Sequence, residues 1–329
     1  MPLAPRRRLA AITGVLLSAA LIAGCAGEAE SADDSGTFPS RPINLIVPFA
    51  AGGSADGTAR QLAAAAQDSC GVPIIVRNET GGSGAVGFNA TMAADPDGYT
   101  VGVATIELSI LPHLGVVEIT PDDYSGIMQY SEQPVAYAVP ANSPIESFAD
   151  LQTATEQINV ATSGTGSIYH LGFAGMAEAI GKTDVLVNVP FDGASSALQA
   201  ALGHHTDMVT VGAAEMRSFV EGGELRPLAL AGDPVPYMAD VPTLESLGVD
   251  WQSTAILGLF APAGGPEERL TTLNECFNQA RETETFTDFM TALGLNQVYR
   301  DHTEFDAFMA QEYDRYAQVV DSVGLGTDN

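Results

Sequence analysis

Apolar residues fall along this chain in short β-branched runs that alternate with stretches of helical period. "RPINLIVPF" (41–49) is nearly continuous in apolar character and predicts a strand covered on both faces. It feeds "ADGTARQLAAAAQ", which predicts a helix closed by Gly71-Val72-Pro73. "PIIVRNE" (73–79), "GSGAVGFNATMAAD" (82–95) and "GYTVGVATI" (98–106) then predict a strand, a helix opened by glycines, and a strand. A second series follows "YSGIMQYSEQPVAYAVPANSP": helix 147–157, strand 158–162, helix near 167–181, strand 185–190, helix 195–203, strand 207–212 and strand 225–232. Two amphipathic helices, roughly 266–283 and 303–322, finish the chain. Strands alternating with helices predict parallel α/β sheets in two sets, with the last helices expected to return to the first set. No internal repeat stands out.

The first residues follow a different pattern. Arg6-Arg7-Arg8 leads into "LAAITGVLLSAALIAG" (9–24), a basic and then apolar segment without an acid, which predicts a signal peptide over 1–24. Ile22-Ala23-Gly24-Cys25 resembles the lipobox of bacterial lipoproteins, with Cys25 as the lipidated residue. The polar stretch beyond it, to residue 39, reads as a flexible spacer. The chain is thus expected to be exported and held to a membrane surface by its N-terminal lipid.

Charge narrows the choice of partner. Removing the leader leaves 10 basic against 41 acidic residues, a balance of −31, with Lys182 the single lysine. Nucleic acid is excluded as a partner, because phosphate binding needs clustered lysine and arginine. Cys70 and Cys276 are either paired in an oxidising compartment or two unrelated buried thiols.

Candidate chemistry sits where strands end and helices begin. Gly52-Gly53-Ser54-Ala55-Asp56 is one such junction, where glycines admit a ligand to the backbone and the first helical turn offers unpaired N–H donors. Helix capping by Ser54 or Asp56 is the plain alternative. "ATSGTGSIYHL" (161–171) repeats the pattern with Ser163, Thr165, Gly166 and Ser167, and His170 one turn later either faces a ligand or packs as a neutral core histidine. "VPFDGASSALQ" repeats it again with Gly193 and Ala194. Such junctions converge at the carboxyl ends of parallel strands.

Competing readings are weaker. Gly82-x-Gly84-x-x-Gly87 formally matches a dinucleotide fingerprint, with Glu107 near the distance of a ribose-binding acid, yet the first strand of the unit lies upstream and the compartment is poor in nicotinamide cofactors. Ser163 and His170 lack the G-x-S-x-G elbow of a hydrolase. His204-His205 with Asp207 reads as solvated surface. No cofactor, no metal and no catalysis are therefore expected.

Seven stretches in order, "RPINLIVPFAAGGSADGTARQLA", "PIIVRNETGGSGAVGFNATMAADPDGYTV", "SGTGSIYHL", "VPFDGASSALQAALG", "LRPLALAG", "ADVPTLESLGV" and "GLFAPAGGP", closely resemble the substrate-binding proteins of tripartite tricarboxylate transporters, the TctC or Bug family. The resemblance spans about residues 39–322 and implies a periplasmic-binding-protein-like α/β fold, two lobes joined by two crossover strands near 135–140 and 257–262. It implies one lobe from 40–137 with 260–322, and another from 138–259. Cys70 and Cys276 then share a lobe, which favours a bridge. Carried over residue by residue, it implies that Gly52, Gly53, Ser54 and Asp56 meet a ligand carboxylate, partly through water, and that Thr165, Gly166, Ser167, His170, Gly193 and Ala194 enclose it. Its implied partners are a small organic acid, a di- or tricarboxylate or relative, and the permease subunits of a membrane transporter, with the receptor itself a monomer. A sensor reporting to a signalling partner would use the same site. Phe191 stands where the family usually has tyrosine, and Ile256-Leu257-Gly258 where it has tryptophan-x-glycine, which leaves the ligand's identity open.

Overall fold

A computed structural model describes residues 37–326, so the expected leader, the lipidation site Cys25 and most of the spacer lie outside the described residues. Phe38, expected in the spacer, is already part of the folded unit: its ring packs edge-on against Tyr99 with centroids 5.1 Å apart.

The first set begins with β1 (Ile43–Val47), α1 (Ser54–Cys70), β2 (Ile74–Asn78), α2 (Ala85–Met92), β3 (Thr100–Ala104) and α3 (Glu107–Ile110). β4 (Tyr124–Pro140) leads into the second set, α4 (Phe148–Thr153), β5 (Ile158–Thr162), α5 (Ile168–Ala179), β6 (Leu186–Pro190), α6 (Ala194–Leu202), β7 (Met208–Gly212), α7 (Ala213–Glu221) and β8 (Leu225–Leu230). β9 (Thr254–Pro262), α8 (Glu267–Arg281), α9 (Glu284–Leu293) and α10 (His302–Ser322) follow. The strand order is β2-β1-β3-β9-β4-β7-β5-β6, with β8 also on β4. β1 lies parallel between β2 and β3, and β5 parallel between β6 and β7, so the two sets have the same plan although no repeat is legible in the sequence.

Two long strands join the sets. β4 pairs antiparallel with β9 from Tyr124 to Pro134, then with β7 and β8 from Val135 to Pro140. β9 pairs in turn with β3. Glycine is required where these strands pass under α10: a Cβ at Gly258 would come 2.5 Å from the Phe305 ring, and one at Gly126 2.9 Å from it.

Burial follows the apolar pattern. The buried face of α1 carries Leu62 together with Ala59, Ala63 and Ala66, whose small side chains let α8 approach with Leu273, Phe277 and Ala280. Cys70, the last residue of α1, is bridged to Cys276 of α8, with Cα atoms 5.0 Å apart. α8 and α9 return to α1, whereas α10 lies against α3 and β4.

Gly87, third glycine of the apparent fingerprint, serves packing. A Cβ there would stand 2.6 Å from Pro48 Cα and 2.8 Å from Glu79 O, both backbone atoms. In an exposed helix Gly→Ala is favourable by about 1 kcal/mol. Here the overlap reverses the sign, so Gly87→Ala is expected to cost about 1–2 kcal/mol net, read as a lower midpoint in urea unfolding.

Candidate functional site

The carboxyl ends of β1 and β3 face those of β5 and β7, and the helices that start there meet. Ser54, first residue of α1, donates from Oγ to Glu215 Oε1 of α7 at 3.1 Å. The same oxygen accepts from Gln133 Nε2 of β4 at 3.2 Å and from the Tyr169 hydroxyl of α5 at 3.1 Å. Gln133 is oriented by its own Oε1, which accepts from the Ala214 N–H at 3.0 Å at the start of α7. Four elements from both strand sets thus close on one carboxyl group. Glu215 Oε2 is buried without a hydrogen-bond partner. A second buried acid, Glu107 of α3, accepts from the Ile168 N–H of α5 at 3.3 Å.

These acids shape the electrostatics. Burial pushes the carboxyls of Glu107 and Glu215 upward, against hydrogen bonds that favour the charged form. Burial and then the nearby Glu215 and Glu107 charges raise the Tyr169 phenol, which stays a neutral donor.

Around α1, Gly52 takes the left-handed backbone (φ 91°) and donates its N–H to Asp56 Oδ2 at 3.0 Å. Asp56 also accepts from Arg60 Nε at 3.0 Å and from Asn78 Nδ2 at 2.8 Å, so its carboxylate is engaged within the protein. Burial alone would raise this group, but bonds from Arg60, Asn78 and Gly52, with the Arg60 charge, hold it below the ordinary value. Asp56 therefore shapes the loop and presents no free carboxylate oxygen of the kind that direct ligand contact would need. Gly52 and Gly53 are exposed, and Gly53 precedes α1 without a side-chain cap.

The second junction is more occupied than its residue types imply. Ser167 Oγ accepts from the His170 N–H and from Ser163 Oγ, each at 3.2 Å, and donates to Gly164 O. His170 Nδ1 accepts from the Gly166 N–H at 3.0 Å, which fixes the ring as the neutral Nε2–H tautomer. Burial lowers its proton affinity in the same direction. His170 is a buried support for the 163–167 loop. With Glu107 on Ile168 and Ser167 on His170, two first-turn amides of α5 are met internally. Thr165 is exposed at the tip of that loop.

Gly193 (φ 96°) precedes α6 without a side-chain cap and Ala194 is the first residue of that helix, beside the end of β5, where the Phe191 N–H donates to Thr162 O at 2.8 Å. The starts of α1 and α6 both lack a side-chain cap.

Sequence reasoning missed Glu215, Tyr169 and Gln133, and named Glu107 only within the dinucleotide reading it set aside. One signal was available. "AAEMRSFVE" follows the strand "DMVTVG" with Ala213, Met216 and Val220 at helical spacing, marking a further strand-to-helix junction with Glu215 in its first turn. His204 and His205 are exposed, and no group of three or more potential metal ligands occurs among the described residues.

A family model described as "Tripartite tricarboxylate transporter family receptor" matches residues 58–325. Among curated proteins, BugT of Bordetella pertussis is 28% identical over 329 residues, covering 96% of this chain and 98% of that one. A solved TctC solute-binding protein from Polaromonas is 30% identical with TM-score 0.74, covering 87% of this chain and 100% of that one. MatC from Rhodopseudomonas palustris, solved with bound malate, is 26% identical with TM-score 0.76, covering 86% and 100%. The Polaromonas neighbour is a solute-binding protein, and the chain shares the periplasmic-binding-protein-like α/β fold of these structures.

Proposed function

Because the chain belongs to the tripartite tricarboxylate transporter receptor family, we propose that it is an extracytoplasmic receptor that closes on a small carboxylate-bearing solute and passes it to a membrane permease. The reading rests on one observation: helix starts from both strand sets meet at Ser54, Tyr169 and Glu215. A solute held there touches both sets at once, and contact with both favours the closed arrangement. We assign residues 40–137 with 260–322 to one lobe and 138–259 to the other, with β4 and β9 as the crossings.

A solute carboxylate is held by the amides that begin α1 and α6, at Gly53, Ser54, Gly193 and Ala194, with Thr165 at the rim. Each helix start contributes roughly 0.3–1 kcal/mol when exposed and up to about 2 kcal/mol when partly buried. With added hydrogen bonds this supports affinity near micromolar, about −8 kcal/mol. The acidic surface slows encounter more than it weakens the bound state, since its field decays over about 8 Å at physiological salt. Cys25 carries the lipid that keeps the monomeric receptor beside its permease.

Thermal melts with a panel of organic acids, with and without nitrogen, test this. A binder at 100 times its Kd adds about 2.7 kcal/mol, a shift of several degrees. A flat response across the whole panel removes the receptor reading.

A further inference from the structure

We propose that the solute carries a protonated amine as well as a carboxylate, and that Glu215 receives the amine. This rests on the receptor reading and narrows its solute class. Glu215 is an unusual group to find where an anion is to be bound. It sits at the meeting point of α1, α5, α7 and β4, and its Oε1 takes three neutral donors, Ser54, Gln133 and Tyr169, none of which cancels a charge. Its Oε2 is buried and has no partner, although an ionised carboxylate offers about four acceptor sites over its two oxygens. A buried acceptor left unmade is costly, and a positively charged donor is the partner that relieves it most.

A second observation points the same way. Glu107 is also buried and close enough for its charge, with that of Glu215, to act on the Tyr169 phenol. The crevice side of α5 is therefore flanked by two acids whose hydrogen bonds come from neutral groups. A plain dicarboxylate entering here would place like charges together in a low-dielectric site. An amino acid places its ammonium at Glu215 and its carboxylate at the uncapped starts of α1 and α6. The protein's own carboxyls thus divide the site into a cation-receiving part and an anion-receiving part.

Matched pairs read this directly on the folded chain: aspartate against succinate and glutamate against glutarate, with longer and aromatic amino acids against their deaminated analogues, by calorimetry. The amine-bearing member of at least one pair binds at least tenfold more tightly, and E215Q loses that preference. The wild-type comparison stands whether or not E215Q folds. Equal binding within every pair, or tighter binding of the deaminated members, overturns the proposal while leaving the receptor reading intact. A preference unchanged in E215Q also overturns it. No binding by any member of any pair also overturns it, and the receptor reading then stands or falls with the thermal melts on the organic-acid panel.

Discussion

Replacing Cys70 and Cys276 together by alanine lowers the unfolding free energy by about 2–5 kcal/mol. The bridge joins residues 206 apart in sequence, so it removes a large share of the conformations open to the unfolded chain, and the effect sits toward the upper end of that range. Alanine is the better replacement because Cys70 and Cys276 are 7% and 4% exposed, and a serine would add a buried hydroxyl to the loss. At roughly 2–4 °C per kcal/mol for a chain of this size, the melting temperature falls by about 5–15 °C. A reductant lowers the wild-type melting temperature by a similar amount and leaves the double variant unmoved. An equal response of both proteins to reductant would show that the bridge contributes nothing to stability.

The other large effect is at Glu107, where charge and hydrogen bonding separate. Glu107→Ala removes the acceptor of the Ile168 N–H and opens a hole in the interior, at a cost of about 2–4 kcal/mol. Glu107→Gln keeps an acceptor and removes the buried charge. Its consequence depends on pH, and the sign follows from the raised carboxyl. A group whose folded-state proton affinity exceeds the unfolded one contributes stability that is fully present below the unfolded value, 4.5, and is lost as pH rises through the folded value. The stability of Glu107→Gln relative to wild type is therefore greatest at pH 8 and falls toward pH 4.5. Reading the difference between the two proteins matters because other groups oppose one another. Glu215 and Asp306, raised by burial, act in the same sense as Glu107. The buried neutral ring of His170 loses stability as pH falls below 6.5, and Asp56 loses its share below 3.8 as its carboxylate takes up a proton. A difference that stays constant from pH 8 to 4.5 would contradict a raised Glu107.

The sequence by itself determined the alternation of strands and helices, because each element's period shows which of its faces is covered. The strand at 158–162 appears at those residues, and the helix expected over 303–322 is α10. The family was also legible, since seven stretches kept their order. The return of the final helices was legible in part: α8 packs on α1, but α9, Glu284–Leu293, had been merged into the connection before α10. Short helices bounded by polar residues carry too few turns for a period to stand out.

Only the tertiary structure decided which first-turn amides are met by distant side chains. Residue types at 163–170 and at 52–56 look equally suited to an anion, yet hydrogen-bond satisfaction is a property of the assembled crevice. Glu107 is 61 residues from the amide it meets on α5, and Glu215 is 161 residues from Ser54. No local pattern announces either pairing. Burial then fixes their electrostatic character, because a carboxyl that would be ordinary at the surface becomes the strongest local determinant of what the site accepts once water is removed.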